Sequence, residues 1–504
     1  MAVKPPLFGS VGRLANALEV LGLGLMTATV VGAADGLLAT PVAAESLAQR
    51  MGTFALLDTL LTSPLALLAA LVALLFRRRA PVWRALIPAG LVGLLGLGVS
   101  QVVQSTSTRG ELTGAWLLEQ PLPYLRSDPP RRAIALVTID TLRADGLDDM
   151  PLLAARAQSG MRYTGAHSTS SWTLPAMASL HTGLAPAEHG AGARQGDASY
   201  QRSGLDPATG TLAEGLRRRG YINAAVVTNP YLSLRYGLHR GFDRYIDLSR
   251  RALLQRGLRR SLLWRPWVAP ASDDPTDRAL RLHSRMREGR SFLWVHYLEP
   301  HAPYTRLESD PHEDCALPDC FPDWRTEGEM EAIHDLYRAD LQRLDVQLDR
   351  LLAELIEEDR LVVLVADHGE EFGEHGGHAH GHSFYEEVTR IPLVVWAGET
   401  GTLEHNVDLL GVHDLVLRYA DGGNSRIPTG LTHMAGLLFG EESAACTDGR
   451  YKRIAGVGSF DLVEDPLEQH PLDETTLDCT LQPLQEREGS TMDPGVLRAL
   501  GYVD

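Results

Sequence analysis

The chain has 504 residues, a formal net charge of −17, and 44% hydrophobic and 22% charged residues. At roughly 150 residues per domain this length implies two to four structural units and excludes a disulfide mini-protein. The balance of apolar and charged residues excludes a disordered or collagen-like chain, and the acid excess lacks the basic footprint of nucleic-acid binding, so no nucleic-acid partner is expected.

The charge is unevenly spread. Residues 1–107 hold seven basic and four acidic residues, so the rest of the chain carries the whole acid excess. Residues 54–76 form an apolar run interrupted only by Asp58 and small polar residues, long enough to cross about 30 Å of hydrocarbon as a helix. Residues 86–103 carry no charge and follow a link containing Arg77, Arg78, Arg79 and Arg84. The two runs read as a membrane hairpin, with a buried helical hairpin of a soluble domain as the alternative. An earlier run, residues 20–34 between Glu19 and Asp35, reads as the centre of a first span over about residues 14–38. Short arginine-rich loops stay cytoplasmic, so everything after the last span is expected to face the periplasm or cell exterior. Residues 1–106 are thus expected to be a multi-pass anchor of two to three helices in the lipid bilayer of the cytoplasmic (inner) membrane. The hydrophobic segments continue too far for a cleavable signal peptide. Residues 107–131, polar and Pro-containing, read as a linker.

Beyond the linker, apolar β-rich runs at residues 133–139, 224–228, 292–297, 361–366 and 392–396 read as strands buried on both faces. Amphipathic helical patterns lie between them at 211–219 and 330–358, the latter with Leu336, Leu341, Leu344, Val346 and Leu348 among its apolar positions. This alternation predicts an α/β sandwich around a largely parallel sheet over residues 132–426. The pattern loosens from about residue 427, so 427–504 are assigned to a small C-terminal subdomain. The four cysteines, Cys315, Cys320, Cys446 and Cys479, all fall in the exported part, where disulfides persist. Four cysteines allow three connectivities, and proximity favours Cys315–Cys320 with Cys446–Cys479. A zinc site at Cys315 and Cys320 is the rival reading, without a second close cysteine pair to support it.

In open α/β sheets ligands gather beyond the carboxyl ends of the strands, and three polar clusters sit there. Asp140 follows the first run, Glu299-Pro-His301 the third, and Asp367-His368 the fourth. A lone Asp after a strand can instead cap the next helix. Asp367 and His368, however, are followed by Glu370, Glu371, Glu374, His375, His378, His380 and His382, a carboxylate and imidazole density that suits a divalent metal. The alternative is a solvated, Gly-rich loop. A fourth element, TLPAMASLHTG over residues 173–183, predicts a helix with Pro175 in its first turn and a stop at Gly183. Thr173 then sits at the helix N-terminus, where free N–H groups favour an anion. Beside a metal its hydroxyl could lose a proton and attack phosphorus or sulfur. Taken alone, Thr173 also reads as a simple N-cap.

Together, VTIDTLRAD (137–145), TLPAMASLHTG (173–183), HYLEPHAPY (296–304) and ADHGEEFGEH (366–375) resemble, in this order, the sulfatase family of the alkaline phosphatase superfamily. The resemblance extends to GYINAA (220–225), NPYLS (229–233), GFD (241–243), FDLVEDPLE (460–468) and LRALGY (497–502), so it covers roughly residue 133 to the C-terminus. It implies an alkaline-phosphatase-like α/β/α fold and a metal-dependent hydrolase or phosphotransferase. Asp140, Thr173, Asp367 and His368 fall on metal-ligand positions, Thr173 being also the nucleophile. His301 falls on a substrate-contacting position that can serve catalysis, and His380 or His382 near a further basic substrate contact. Asn229, expected as a further substrate contact, and Tyr231 stand where formylglycine sulfatases place a Lys and a His.

The departures are specific. Formylglycine sulfatases need Cys or Ser at the nucleophile, followed by a Pro and an Arg, whereas this chain has Thr173, Pro175 and Met177. Formylglycine cannot be made from Thr, and Lys4 and Lys452 are the only lysines. A Thr nucleophile resembles the membrane-bound lipoteichoic acid synthases and phosphoethanolamine transferases of the superfamily. The expectation is therefore a membrane-anchored enzyme acting through Thr173 on phosphate-type esters, with a lipid head group or envelope glycan as substrate or acceptor. The alternatives are a sulfuric ester hydrolase using unmodified Thr and a catalytically silent metal-binding scaffold or sensor. One divalent ion is expected, manganese, zinc, calcium or magnesium, and the additional histidines leave room for a second.

Overall fold

The computed structural model describes residues 132–194, 202–249, 273–286, 289–302, 304, 327–356, 360–473 and 477–485. The expected membrane spans, the linker, Cys315 and Cys320 lie outside these residues. Among the described residues no helix is long and apolar enough to cross a membrane.

Eight strands build the main sheet: β1 (Ala133–Ile139), β2 (Met161–His167), β3 (Ile222–Val227), β4 (Arg244–Asp247), β5 (Ser291–Tyr297), β6 (Arg360–Ala366), β9 (Leu393–Trp396) and β10 (Gly401–Asp408). Two short strands, β7 (Glu371–Phe372) and β8 (His378–Ala379), pair separately. The sheet order is β10-β2-β9-β6-β1-β5-β3-β4. Every neighbouring pair is parallel except those made by β9, which runs against both β2 and β6. The expectation of a largely parallel sheet is therefore met, with one reversed strand inside it. Strands β1, β5 and β6 are buried at every position, as strands covered on both faces must be.

The helices are α1 (Pro151–Ala157), α2 (Thr173–Thr182), α3 (Pro186–His189), α4 (Leu212–Arg218), α5 (Asp273–Arg285), α6 (Glu327–Leu355), α7 (Glu386–Thr389) and α8 (Leu409–Ala420). Helix α4 starts on a capping box in which Thr211 accepts from the Glu214 N–H and the Glu214 carboxylate accepts from the Thr211 N–H. Helix α6 buries Leu336, Leu341, Leu344 and Leu348. Val346, expected on the same apolar face, is 54% exposed. Two residues beyond Leu344 the helix has turned about 200°, which carries Val346 to the solvent side. Four antiparallel strands follow residue 427: β11 (Thr432–Ala435), β12 (Ala444–Thr447), β13 (Tyr451–Ile454) and β14 (Gly458–Asp461). They enclose a small apolar cluster of Phe384, Met434, Leu437, Ala445, Ile454 and Phe460. Cys446 of β12 is disulfide-bonded to Cys479, as proximity in sequence suggested.

The strand order decides where chemistry can occur. Strands β6, β1, β5 and β3 are consecutive in the sheet and parallel, so their carboxyl ends open on one edge. In register, Ile139 lies opposite both Tyr297 and Ala366. The ladder runs one residue further: the Asp140 N–H donates to Tyr297 O and the Asp367 N–H to Ile139 O. The two aspartates thus leave adjacent strands at the same level.

Candidate active site

Asp140, Asp367 and His368 are fully buried, and one ligand atom of each lies within 4.8 Å of the others. His368 Nε2 is 3.5 Å from Asp140 Oδ1 and 3.6 Å from Asp367 Oδ2. Its other nitrogen, Nδ1, lies 2.9 Å from Gly369 O. A carbonyl only accepts, so Nδ1 carries the proton and Nε2 presents a bare lone pair, the arrangement a metal-binding histidine requires. Burial, with His380 nearby, also pushes His368 down to about 3, which keeps the ring neutral.

The carboxylates complete the case. Asp140 Oδ1, Asp367 Oδ2 and Thr141 Oγ1 are buried without hydrogen-bond partners, a costly state for polar atoms unless another group satisfies them. Burial and the neighbouring Asp140 push the Asp367 carboxyl well above its ordinary range. For Asp140 burial pulls the same way, but His301, His296 and His368 together hold it below. Two buried aspartates and one neutral imidazole, aimed at a common point, fit a divalent cation. Thr141, next to Asp140 in the chain, adopts φ 53, rare for a β-branched residue, and its N–H donates to Asp367 Oδ1 at 3.2 Å.

Thr173 is the first residue of α2, whose N-cap position, Trp172, is extended and offers no side-chain cap. The simple N-cap reading is thus corrected: Thr173 lies inside the helix, and its hydroxyl is turned to the aspartates. Thr173 Oγ1 is 3.5 Å from Asp140 Oδ2 and 3.4 Å from His368 Nε2. The Asn229 amide donates to Thr173 Oγ1 at 3.1 Å and also to Asp140 Oδ2. Asn229 is held in turn by its Oδ1, which accepts from the Tyr231 N–H at 2.7 Å. The helix ends where expected, at Gly183 with φ 69, a left-handed cap that glycine adopts without a Cβ clash. The Tyr231 ring packs against Trp172 and Tyr236.

The histidines divide. The rings of His301 and His380 lie 4.9 Å apart, and His380 lies 4.4 Å from His368, so His301 and His380 join the cluster. His380 Nδ1 bonds Glu370 Oε1 at 2.7 Å, and the Tyr304 hydroxyl donates to Glu370 Oε2 at 2.9 Å. Burial pushes the Glu370 carboxyl up to about 7 against the pull of His301, His368 and Tyr304. Burial likewise pushes His380 down to about 4. His382 is not brought in: its Nε2 bonds Glu371 Oε2 at 2.8 Å. Nor are His375, held by Glu387, and Glu374, held by Arg143. The carboxylate and imidazole density of residues 367–382 therefore divides between the set around Asp140, Asp367 and His368 and a second group in which ligand atoms of Glu371, His375 and Glu387 also lie within 4.8 Å of one another.

Sequence reasoning missed His296 and Tyr304, and it named Glu370 only as part of the cluster after His368. His296 Nε2 is 3.4 Å from Asp140 Oδ2, and its Nδ1 is 2.8 Å from Thr138 Oγ1, which accepts from the Trp294 indole N–H. The signal was present, since a histidine inside a doubly buried strand calls for a polar partner.

Residues 134–415 match the sulfatase family. Among solved structures, the chain is similar to the phosphonate monoester hydrolase of Agrobacterium radiobacter, at 19% identity over 68% of this chain and 91% of that one, TM-score 0.52. It is similar to the phosphonate monoester hydrolase from Silicibacter pomeroyi at 18% identity, over 64% and 87%, TM-score 0.51. It is also similar to BT1596, a 2-O GAG sulfatase, at 14% identity, over 68% and 88%, TM-score 0.52. No curated protein matches. At these identities the structures speak for the fold, while the family match covers more than half of the sequence and agrees with the ordered motifs and the buried ligand set. The chain is a hydrolase belonging to the sulfatase family of the alkaline phosphatase superfamily.

Proposed function

We propose that this protein is a membrane-anchored enzyme that cleaves or transfers phosphate-type esters at the extracytoplasmic face of the cytoplasmic membrane, with Thr173 as nucleophile. The observation that carries the reading is the buried Thr173 hydroxyl, placed at the start of α2 and within 3.5 Å of both Asp140 and His368. Asp140, Asp367 and His368 would hold one divalent ion, a Lewis acid that lowers the pKa of the adjacent hydroxyl and polarises the ester. Asn229 fixes the Thr173 oxygen from the other side. The N-terminal N–H groups of α2 favour the developing negative charge. The Thr173 hydroxyl proton passes to a neutral histidine of the His301–His380 pair as Oγ1 bonds phosphorus, and that histidine gives it to the leaving oxygen as the bond from phosphorus to that oxygen breaks. The resulting phosphothreonine passes to water or to an acceptor hydroxyl. Phosphonate ester hydrolysis by two structural neighbours supports the choice of phosphorus, and anchoring beside the bilayer supports a lipid head group or envelope glycan as substrate or acceptor. Family membership favours the second reading, sulfate-ester hydrolysis with unmodified Thr173; formylglycine chemistry is closed to threonine.

The test is a comparison of wild-type and Thr173→Ala full-length protein, in detergent with added divalent metal, on aryl phosphate monoesters, diesters, phosphonates and sulfates. The reading expects phosphorus esters to be preferred and Thr173→Ala to lose at least about 10³-fold in kcat, the scale of removing a covalent nucleophile. Equal turnover by Thr173→Ala, or turnover of sulfates alone, overturns it.

A further inference from the structure

Thr141 follows Asp140 at the carboxyl end of β1, and its φ of 53 puts a β-branched side chain in the left-handed region, where Cβ crowds the backbone. A residue stays in that conformation only when its surroundings hold it there. On one side the Thr141 N–H donates to Asp367 Oδ1 at 3.2 Å, an oxygen that also accepts from the His368 N–H at 2.8 Å. On the other side the Tyr337 hydroxyl donates to Thr141 O at 2.9 Å and accepts from the Arg143 N–H at 3.1 Å. Thr141 and Tyr337 are both buried, so water does not compete for these bonds. Tyr337 is itself fixed: its ring lies 5.0 Å from Phe372 and stands edge-on to Tyr304 at 5.9 Å. Further along α6, Asp345 accepts from the Leu152 and Leu153 N–H groups at 2.9 and 2.8 Å. The helix therefore grips the chain leaving β1 at two places. With Oδ1 of Asp367 taken by two backbone donors, Oδ2 is the oxygen left for an ion. It and Asp140 Oδ1 are the carboxylate atoms of the pair without hydrogen-bond partners.

We infer that Tyr337 is a positioning residue for the cation site of Asp140, Asp367 and His368: its hydroxyl locks Thr141 in the left-handed conformation that sets the two aspartates relative to each other. This role rests on the reading of those three residues as ligands of a divalent ion, and it is the same whether the ester is a phosphate or a sulfate. The phenol supplies no ligand atom and acts through the turn that follows Asp140. Without the hydroxyl, Thr141 O and the Arg143 N–H lose their shared partner, and Thr141 is released toward negative φ. Relaxation must then move one of two things. If the Asp140–Thr141 peptide moves, its N–H leaves Asp367 Oδ1. If the chain after Thr141 moves, it draws Arg143 away from Glu370 O, which Arg143 Nη1 now meets at 2.8 Å. Either shift loosens a tie between the segment after Asp140 and the segment after Asp367, and ligands that are no longer held in place bind an ion less tightly.

The experiment titrates chelator-stripped, full-length protein in detergent with manganese, zinc and calcium ions by calorimetry, and measures the unfolding midpoint of each stripped variant. Asp367→Asn identifies the isotherm that belongs to this site, and the ion bound tightest there serves for the comparison. Tyr337→Phe removes one oxygen and keeps the ring beside Phe372 and Tyr304, and it should raise Kd about 10- to 100-fold, the range for losing a group that orients a ligand. Leu348→Ala, a packing loss at a buried position of the same helix, should lower the midpoint at least as much and leave Kd within about threefold of wild type. Glycine adopts positive φ without a clamp, so in the Thr141→Gly background Tyr337→Phe should raise Kd by less than about threefold, a coupling that the double-variant cycle reads directly. A Kd for Tyr337→Phe within about threefold of wild type overturns the positioning role. So does an equal loss in both backgrounds, or a loss in Leu348→Ala as large as in Tyr337→Phe. A wild type whose binding of all three ions is untouched by Asp367→Asn overturns the underlying reading of the ligand set instead.

Discussion

Lys452, one of only two lysines in the chain, is fully buried on β13, and replacing it with methionine should weaken the fold severely. Its Nζ donates to Glu386 Oε1 at 2.9 Å and to Thr389 Oγ1 at 3.0 Å, and pairs with Glu468 Oε1 at 3.2 Å. Glu386 also meets His167 Nε2 at 3.1 Å. Met supplies similar volume, so the loss is electrostatic: two buried carboxylates keep their negative charge and lose their cation. Removing one partner of a buried ion pair costs about 3–5 kcal/mol, and two stranded acids place Lys452→Met at the upper end at pH 8. The sign with pH follows from the shifts. Burial opposes the charged lysine, yet Glu386 and Glu468 raise its pKa above the ordinary value, so its contribution is complete below that value and fades only as pH rises above it. Glu386 is lowered by Lys452 and His167 against burial, so its contribution is present at neutral pH and is lost as pH falls. In the variant both acids are raised and take up protons on acidification, so the deficit relative to wild type should shrink between pH 8 and pH 5. Urea unfolding of the full-length protein in detergent, followed by near-ultraviolet circular dichroism, measures this. A Lys452→Met variant within about 0.5 kcal/mol of wild type at pH 8, or a deficit that grows on acidification, refutes the reasoning. The triple variant with Glu386→Gln and Glu468→Gln should recover most of the loss, since whole buried ion clusters can be replaced at little cost.

Chelation of divalent ions should abolish turnover and lower the unfolding midpoint, because Asp140 and Asp367 then share a buried site without a cation, and re-adding metal should reverse both; an unchanged midpoint with turnover intact speaks against a metal at these residues. Gly369→Ala should reduce metal affinity and stability together, since a Cβ there would lie 2.1 Å from Glu387 O, and calorimetric titration of the variant with manganese and zinc checks this. Reduction of the Cys446–Cys479 bridge, which spans a separation of 33 residues, should cost roughly 3–4 kcal/mol by loop-closure entropy. Unfolding of Cys446→Ser alongside wild type reads the difference.

Much of the site was legible because its residues follow patterns that burial imposes. A strand covered on both faces must be apolar throughout, so a polar cluster that interrupts such a run marks its carboxyl end, and Asp140, His301, Asp367 and His368 were found in this way. Strands β2, β4 and β10 were not found. Strands β4 and β10 form the edges of the sheet and carry Arg244, Asp247, Glu404 and His405, and β2 has only partly covered positions at Arg162, Thr164 and Gly165. In each the apolar run that betrays a central strand is absent.

What the sequence determined by itself is local: which runs are buried, that a helix begins at Thr173 and stops at Gly183, and which side chains can ligate a metal. Strand neighbours and strand direction are set by packing between segments far apart in the chain. The apolar run of β9 reads the same forwards or backwards, and only the fold shows it reversed. The same holds for the histidines after Asp367. His380 and His382 are two residues apart and chemically identical, yet Glu370 turns one toward His301 and His368 while Glu371 ties the other away. The partners that separate their roles are chosen by backbone course: Gly381 at φ 82 lies between them, and the Leu438–Phe439 segment fastens the carbonyl of that glycine.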